Sequence, residues 1–181
     1  MNGDAGRFGL RWAIKPSFVD YVARARDGRA YLSGGAAVNA NNELLFELDG
    51  HAVAAAPGEA DRGAGEDQGT HPGHTFTFRG DVRFTAHFGM LFVRIARPQV
   101  TVRGLEGELT VVDPDSPAGD QLRLVTFTVA DQVTEDGVQR LEAADVRLTA
   151  EGAVLFGEVY QASEPFAPLM ITIPATTTKD Q

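Results

Sequence analysis

Four histidines and three tyrosines are the side chains of this 181-residue chain best suited to hold a metal ion or pass a proton, because cysteine is absent. Without thiols, a disulfide framework, a cysteine-ligated zinc, an iron–sulfur cluster and a thiol nucleophile are all excluded. His51 follows Asp49-Gly50, a turn signal, and reads as a polar surface residue. His71 and His74 lie in or beside a glycine-rich acidic stretch, where imidazoles are ordinarily just solvated; a transition-metal site is the sharper alternative. His87 ends a strongly amphipathic run at His87-Phe88-Gly89. It is either a structural histidine or a side chain projected from a rigid hairpin. Tyr31 in a strand and Tyr160 on a helix read as core-edge residues. Tyr21 has Phe18 and Val22 beside it, so packing is its plainest role, and it lies four residues after Ser17, on the same helix face.

Catalytic signatures are missing. No Gly-x-Ser-x-Gly elbow, His-Glu-x-x-His or phosphate loop occurs, and no acidic pair can be given acid and base roles. The run Gly63-Ala64-Gly65-Glu66-Asp67-Gln68-Gly69 has the wrong spacing for a dinucleotide fingerprint. The expectation is a protein that binds and does not catalyse.

The elements that must position these residues follow from periodicity. Phe8, Leu10, Trp12 and Ile14 share one face of an opening strand. The period then changes, and Pro16 to Gly28 bounds a helix in which Phe18, Tyr21, Val22 and Ala25 lie at helical spacing. Ser17 with Asp20 suggests a variant capping box at its start. Strands are predicted at 30–32 and 44–48, and a long one carries Phe76, Phe78, Val82 and Phe84 on one face. Met90 to Ala96 returns from the His87 turn as a hairpin. Further strands are predicted at 100–102, 109–112, 122–130 and 145–148. Thr149 caps a second helix with Ala153, Phe156 and Tyr160 aligned, ended by Pro165 and Pro168, and Leu169, Ile171 and Ile173 form a last strand. The expected fold is mainly β, an antiparallel sandwich or open barrel of about nine or more strands with two short helices. It forms a single domain over 8–174, between flexible ends at 1–7 and 175–181. Residues 57–73, with five Gly, two Pro and four acids against one Arg, read as a mobile loop inside it.

Composition limits the partners. Lys and Arg number 16 against 25 Asp and Glu, a net charge of −9, so a nucleic-acid partner is not expected. No window approaches the length of a membrane span, so no membrane insertion is expected. The N-terminus as written has no basic region followed by an apolar stretch, which predicts a cytoplasmic protein; the alternative, if the start is trimmed or mis-assigned, is the cell surface or secretion.

Three ordered blocks carry a family resemblance. The run Leu10-Arg11-Trp12-Ala13-Ile14-Lys15-Pro16-Ser17-Phe18-Val19-Asp20-Tyr21 resembles the opening of the haem-transport-associated (HtaA-type) domain of actinobacteria. Phe78 to Leu91, with Arg97-Pro98-Gln99-Val100 after it, resembles the central signature of that domain. Leu148 to Ala153, Phe156, Tyr160 and Pro168-Leu169 resemble its closing segment, so the likeness runs from about Leu10 to Ile173. The resemblance implies a non-catalytic protein that holds ferric haem b for transport, transfer or storage. Its iron ligand would be Tyr21, hydrogen-bonded by His87, with Ser17 near the haem propionates. A haem donor or acceptor protein would be its partner. Ala86-His87 stands where the family usually has Gly-His. A domain of this type that has lost haem and binds a protein or glycan is the first alternative, and a haem-modifying enzyme the second.

The chemistry is consistent with that implication. Phenolate is a hard anionic ligand known on haem iron. A phenol ordinarily keeps its proton at neutral pH, so a ferric ion and a neighbouring imidazole together favour its loss. Phe88 and Met90, beside His87, are positioned for apolar contact with a porphyrin, or else belong to the core.

Overall fold

The computed structural model describes residues 8–54 and 72–175. The expected flexible end at 1–7, residues 57–71 of the expected loop, His71, and residues 176–181 lie outside the described residues. Gly73, at the far end of that loop, opens a strand, and Ala175 donates its N–H to the Gly137 carbonyl.

Twelve strands and two α-helices are formed among the described residues. In chain order they are β1 (Gly9–Trp12), α1 (Pro16–Arg24), β2 (Arg29–Ser33), β3 (Ala36–Val38), β4 (Leu44–Ala54), β5 (Gly73–Arg79) and β6 (Asp81–Ala86). After them come β7 (Leu91–Ala96), β8 (Gln99–Arg103), β9 (Glu106–Val112), β10 (Gln121–Glu135), β11 (Val138–Leu148), α2 (Ala150–Leu155) and β12 (Leu169–Pro174). The large sheet runs β1-β12-β11-β10-β9-β8-β5-β4-β3, all antiparallel, and β1 also pairs with β4. That extra pairing, Leu10 opposite Phe46 and Trp12 opposite Leu44, closes eight strands into a barrel. Of the two arrangements expected, the barrel is the one formed, and it is closed.

Alternation explains why the barrel forms. Phe76 and Phe78, Val100 and Val102, Leu109 and Val111, and Ile171 and Ile173 are buried at every second position of their strands. Each fully buried aliphatic or aromatic side chain is worth roughly 1.5–3 kcal/mol of transfer free energy. These residues join one continuous core with Trp12, Phe46 and Leu124. Trp12 is fully buried and still satisfied, its indole N–H donating to the Ala167 carbonyl at 2.9 Å.

Strands β2-β6-β7 form a separate three-stranded sheet. The expected long strand through Phe76 and Phe84 is therefore two strands in two sheets, broken at Gly80. This residue has φ +133°, and a Cβ there would stand 2.7 Å from the Phe46 ring. Only glycine can turn the chain in that space. All four aromatic and aliphatic residues of the predicted face are nonetheless buried. Asp81, at the start of β6, accepts hydrogen bonds from the guanidinium groups of Arg83 and Arg94. Burial works to raise its pKa, but those two arginines outweigh it and hold the carboxyl below the ordinary value.

Other expectations shift in detail. Asp49-Gly50 is not a turn: β4 continues to Ala54 with a register shift between Leu48 and Gly50, so these residues form a bulge. Ser17 caps nothing. Lys15 is the N-cap of α1, Pro16 occupies its first position, and Ala25 ends the helix in extended backbone, short of Gly28. Thr149 does cap α2, accepting from the Gly152 N–H. That helix ends at Leu155, with Gly157 at φ +66°, so Tyr160 lies beyond it, not on it.

Candidate functional site

The buried face of α1 decides where Tyr21 points. Phe18 and Val22 are buried, and the Phe18 ring packs edge-on against Phe84 of β6 at 5.2 Å and against Phe156 at 5.1 Å. The helix is thus pinned between the small sheet and the end of α2. Tyr21 is 49% exposed.

The β6–β7 hairpin brings His87 to it. Ala86 pairs with Leu91, leaving His87-Phe88-Gly89-Met90 as the connection. His87 (φ 54°), Phe88 (φ 58°) and Gly89 (φ 87°) are all left-handed. Two non-glycine residues in that region cost about 1 kcal/mol or more each, so something must hold them. The Asp27 carboxylate does so. It accepts the backbone N–H of His87 at 3.0 Å and that of Phe88 at 2.5 Å. The Phe88 amide does most to keep this carboxyl below its ordinary pKa; burial opposes it, and the His87 amide adds to the lowering. Asp27 lies three residues after α1, so one side chain ties the exit of the Tyr21 helix to the turn that carries His87.

The result is a short contact between phenol and imidazole. Tyr21 Oη and His87 Nε2 are 2.6 Å apart, with ring centroids 5.5 Å apart. With the phenol as donor, Nε2 accepts and the imidazole carries its proton on Nδ1. Such a pair can present an anionic oxygen to a hard Lewis acid, because the base for the departing proton is already in contact. Among the described residues, no group of three or more His, Asp or Glu side chains is arranged to hold a metal ion.

Phe88 and Met90 are not core. Their exposures are 94% and 86%, unusual for a phenyl ring and a thioether on a folded surface. Met90 and Phe92 also line a groove of about 440 Å³ with Val154, Phe156 and Val159. Val154 and Val159 are themselves exposed, and Phe156 is the residue that meets Phe18 of α1. Ser17 is exposed one turn before Tyr21, and Arg24 lies in the last turn of the same helix.

The structure therefore brings Tyr21 and His87 into contact, places Phe88 and Met90 on the turn that carries His87, and places Ser17 on the same helix as Tyr21. Tyr31 is exposed on the small sheet, and Tyr160 packs against Phe156 and Phe166. Sequence reasoning missed Asp27, which reads only as the polar end of a helix, and the exposed pair Val154 and Val159. His51 is exposed, as expected of a polar surface residue, but it lies on a strand and not after a turn, and His74 is half-buried. They lie on β4 and β5 with Nε2 and Nδ1 3.2 Å apart. Burial, and then the neighbouring His74, hold His51 below the usual imidazole pKa.

Fold and site together define a class: a closed eight-stranded antiparallel barrel with a small side sheet, whose hairpin turn sets an imidazole against an exposed helical tyrosine. The chain belongs to the HtaA family, whose model (Htaa) matches residues 7–172. The C-terminal domain of HtaA from Corynebacterium glutamicum superposes with a TM-score of 0.71 at 22% identity, covering 91% of this chain and 93% of that one. The N-terminal domain of the same protein gives 0.70 at 19% identity, covering 93% and 97%. The protein described as heme binding protein HtaB, from the same organism, gives 0.60 at 18% identity, covering 92% and 91%. At these identities the likeness establishes the fold. No curated protein matches the chain.

Proposed function

We propose that this protein binds ferric haem b without transforming it, holding the iron through the Tyr21 phenolate for transport, transfer or storage. The observation that carries the reading is the 2.6 Å contact between Tyr21 Oη and His87 Nε2 on an exposed helix face. Two further features fit the same ligand. A flat apolar macrocycle needs apolar contacts around its iron ligand, and Phe88 and Met90 are exposed on the turn that carries His87. Its propionates need donors, and Ser17 and Arg24 lie on the helix that carries Tyr21. Membership of the HtaA family, and likeness to a protein described as heme binding, support the same assignment.

In this reading each side chain has one task. The phenol gives up its proton and offers a hard anionic oxygen, the match for a ferric centre. His87 accepts that proton or shares it, which fixes the orientation of the oxygen. Asp27 acts only through the turn: it keeps the His87 and Phe88 backbone in place. A haem donor or acceptor protein would exchange the ligand across the exposed face. The test is an absorption titration of the full chain with hemin, wild type beside Tyr21→Phe. The expected result is a Soret band with charge-transfer features in wild type and their loss in the variant. An unchanged spectrum and affinity in Tyr21→Phe overturns the assignment.

A further inference from the structure

We propose that His51 and His74 form a second, separate site, which takes a free divalent cation of the Cu²⁺ and Zn²⁺ class. It lies at the other end of the barrel from Tyr21. The Leu44 end of β4 pairs with Trp12, just before α1, whereas His51 lies seven residues further along. At about 3.3 Å per residue that is roughly 20 Å of strand.

The two imidazoles share a hydrogen bond, and the spacing of its nitrogens also suits two ligands of one ion. Two nitrogens each about 2.0–2.1 Å from a metal stand about 2.9 Å apart at a right angle and about 3.3 Å apart at the tetrahedral angle. His51 Nε2 and His74 Nδ1 are 3.2 Å apart, inside that interval. The rings are also pre-oriented. His51 is directly opposite Phe76 in the β4–β5 register and lies over its ring, with centroids 4.6 Å apart and planes 15° apart. His74 is near-parallel to the same ring, at 10°. Phe76 is buried, so the platform cannot move, and the two backbones are locked in a paired ladder. Ligands mounted on strands hold their geometry better than ligands on loops.

Chemistry selects the ion. Imidazole nitrogen suits copper, zinc and nickel, and affinity for such a site peaks at Cu²⁺. Two protein donors leave the remaining coordination positions to water, which gives a modest affinity and an ion that exchanges. Haem is not a candidate here, because one ion held by both nitrogens in adjacent positions leaves no room for a porphyrin plane.

The experiment is a Cu²⁺ titration of the full haem-free chain, followed by electron paramagnetic resonance, with Zn²⁺ competition against a chromophoric chelator as a second readout. Far-UV circular dichroism and denaturant unfolding check that each variant is folded, and hemin titration is applied to the two pair variants only. The expected result is one Cu²⁺ per chain with hyperfine structure from two nitrogens. Removing one ligand should weaken it at least about tenfold, the lower end of what even an outer contact is worth. His51→Ala and His74→Gln should both show that loss and keep hemin binding, while Tyr21→Phe and His87→Ala keep Cu²⁺ binding. Absence of Cu²⁺ binding in wild type, unchanged affinity in both pair variants, or loss of the signal in His87→Ala would overturn the proposal.

Discussion

If His87 acts on haem only through the Tyr21 oxygen, the two residues must behave as a unit under mutation. His87→Ala removes the acceptor 2.6 Å from the phenol but leaves the phenol free to coordinate. Loss of such an outer contact costs about 10–100-fold in affinity, or ~1.4–2.7 kcal/mol. Tyr21 is 49% exposed, so water partly replaces the imidazole and the loss should fall near tenfold. Tyr21→Phe removes the donor oxygen itself and should cost far more. In the double variant, His87→Ala should then add nothing, because the bond it supports is already gone, so the coupling equals the whole His87 effect. His87→Asn serves as the backbone control. Asparagine tolerates the left-handed conformation that His87 adopts at φ 54°, whereas alanine pays strain there. Hemin titrations of the four cycle members and His87→Asn, read at the Soret band, measure the cycle. If His87→Ala weakens binding as much in the Tyr21→Phe background as in wild type, His87 contacts the ligand directly and the reasoning fails.

Replacing Phe88 and Met90 together by serine should change unfolding free energy by no more than about 0.5 kcal/mol, since both are exposed, yet lower hemin affinity several-fold in the same titration. Asp27→Ala should weaken hemin binding by loosening the His87 turn. Because the folded-state pKa of Asp27 is depressed, its contribution to stability is present above the ordinary carboxylate value and lost as pH falls through the lower folded one; wild-type unfolding free energy followed into the acid range should show a component absent from Asp27→Ala. Gly80→Ala should destabilise the fold by about 2–5 kcal/mol in denaturant unfolding, from backbone strain plus the clash with Phe46, whereas Gly89→Ala, with open space around it, should cost only about 1 kcal/mol.

Periodicity made the barrel legible, because a buried sheet face writes itself at every second residue. It located β1, β7, β12 and α1, and the cap of α2 at Thr149. It did not show that β5 and β6 belong to different sheets, since a strand that turns at a glycine keeps its alternation on both sides of the bend. The Asp136-Gly137 turn, with φ 50° and 73°, joins β10 and β11 into the longest hairpin of the chain. That dipeptide is a hairpin signal, yet the polar residues flanking it hid the length of the two strands. At the site, family resemblance singled out Tyr21 and His87, which composition and spacing alone left as packing and structure. Asp27 was illegible because its partners are two backbone amides sixty residues away, and backbone donors leave no mark on a sequence. His51 and His74 were separated in sequence by the whole segment between β4 and β5, and only strand pairing brings them together.

The backbone at the His87 turn bears on what the fold is for. Three consecutive left-handed residues, two of them not glycine, are expensive, and a tight glycine-rich hairpin would connect β6 to β7 at lower cost. That cost is offset by the Asp27 carboxylate, which itself loses part of its hydration to reach the two amides. A connection serving only to reverse the chain gains nothing from this arrangement, nor from a phenyl ring left almost wholly in solvent. Strain, a dedicated carboxylate and exposed apolar surface are instead all explained if the turn must hold His87 Nε2 at one fixed point over Tyr21 and leave the apolar rim bare for a ligand. The packing around α1 keeps that point fixed: Phe18 locks the helix that carries Tyr21 to Phe84 of the hairpin sheet and to Phe156 at the end of α2, so helix and turn are held against one another by aromatic contacts as well as by Asp27.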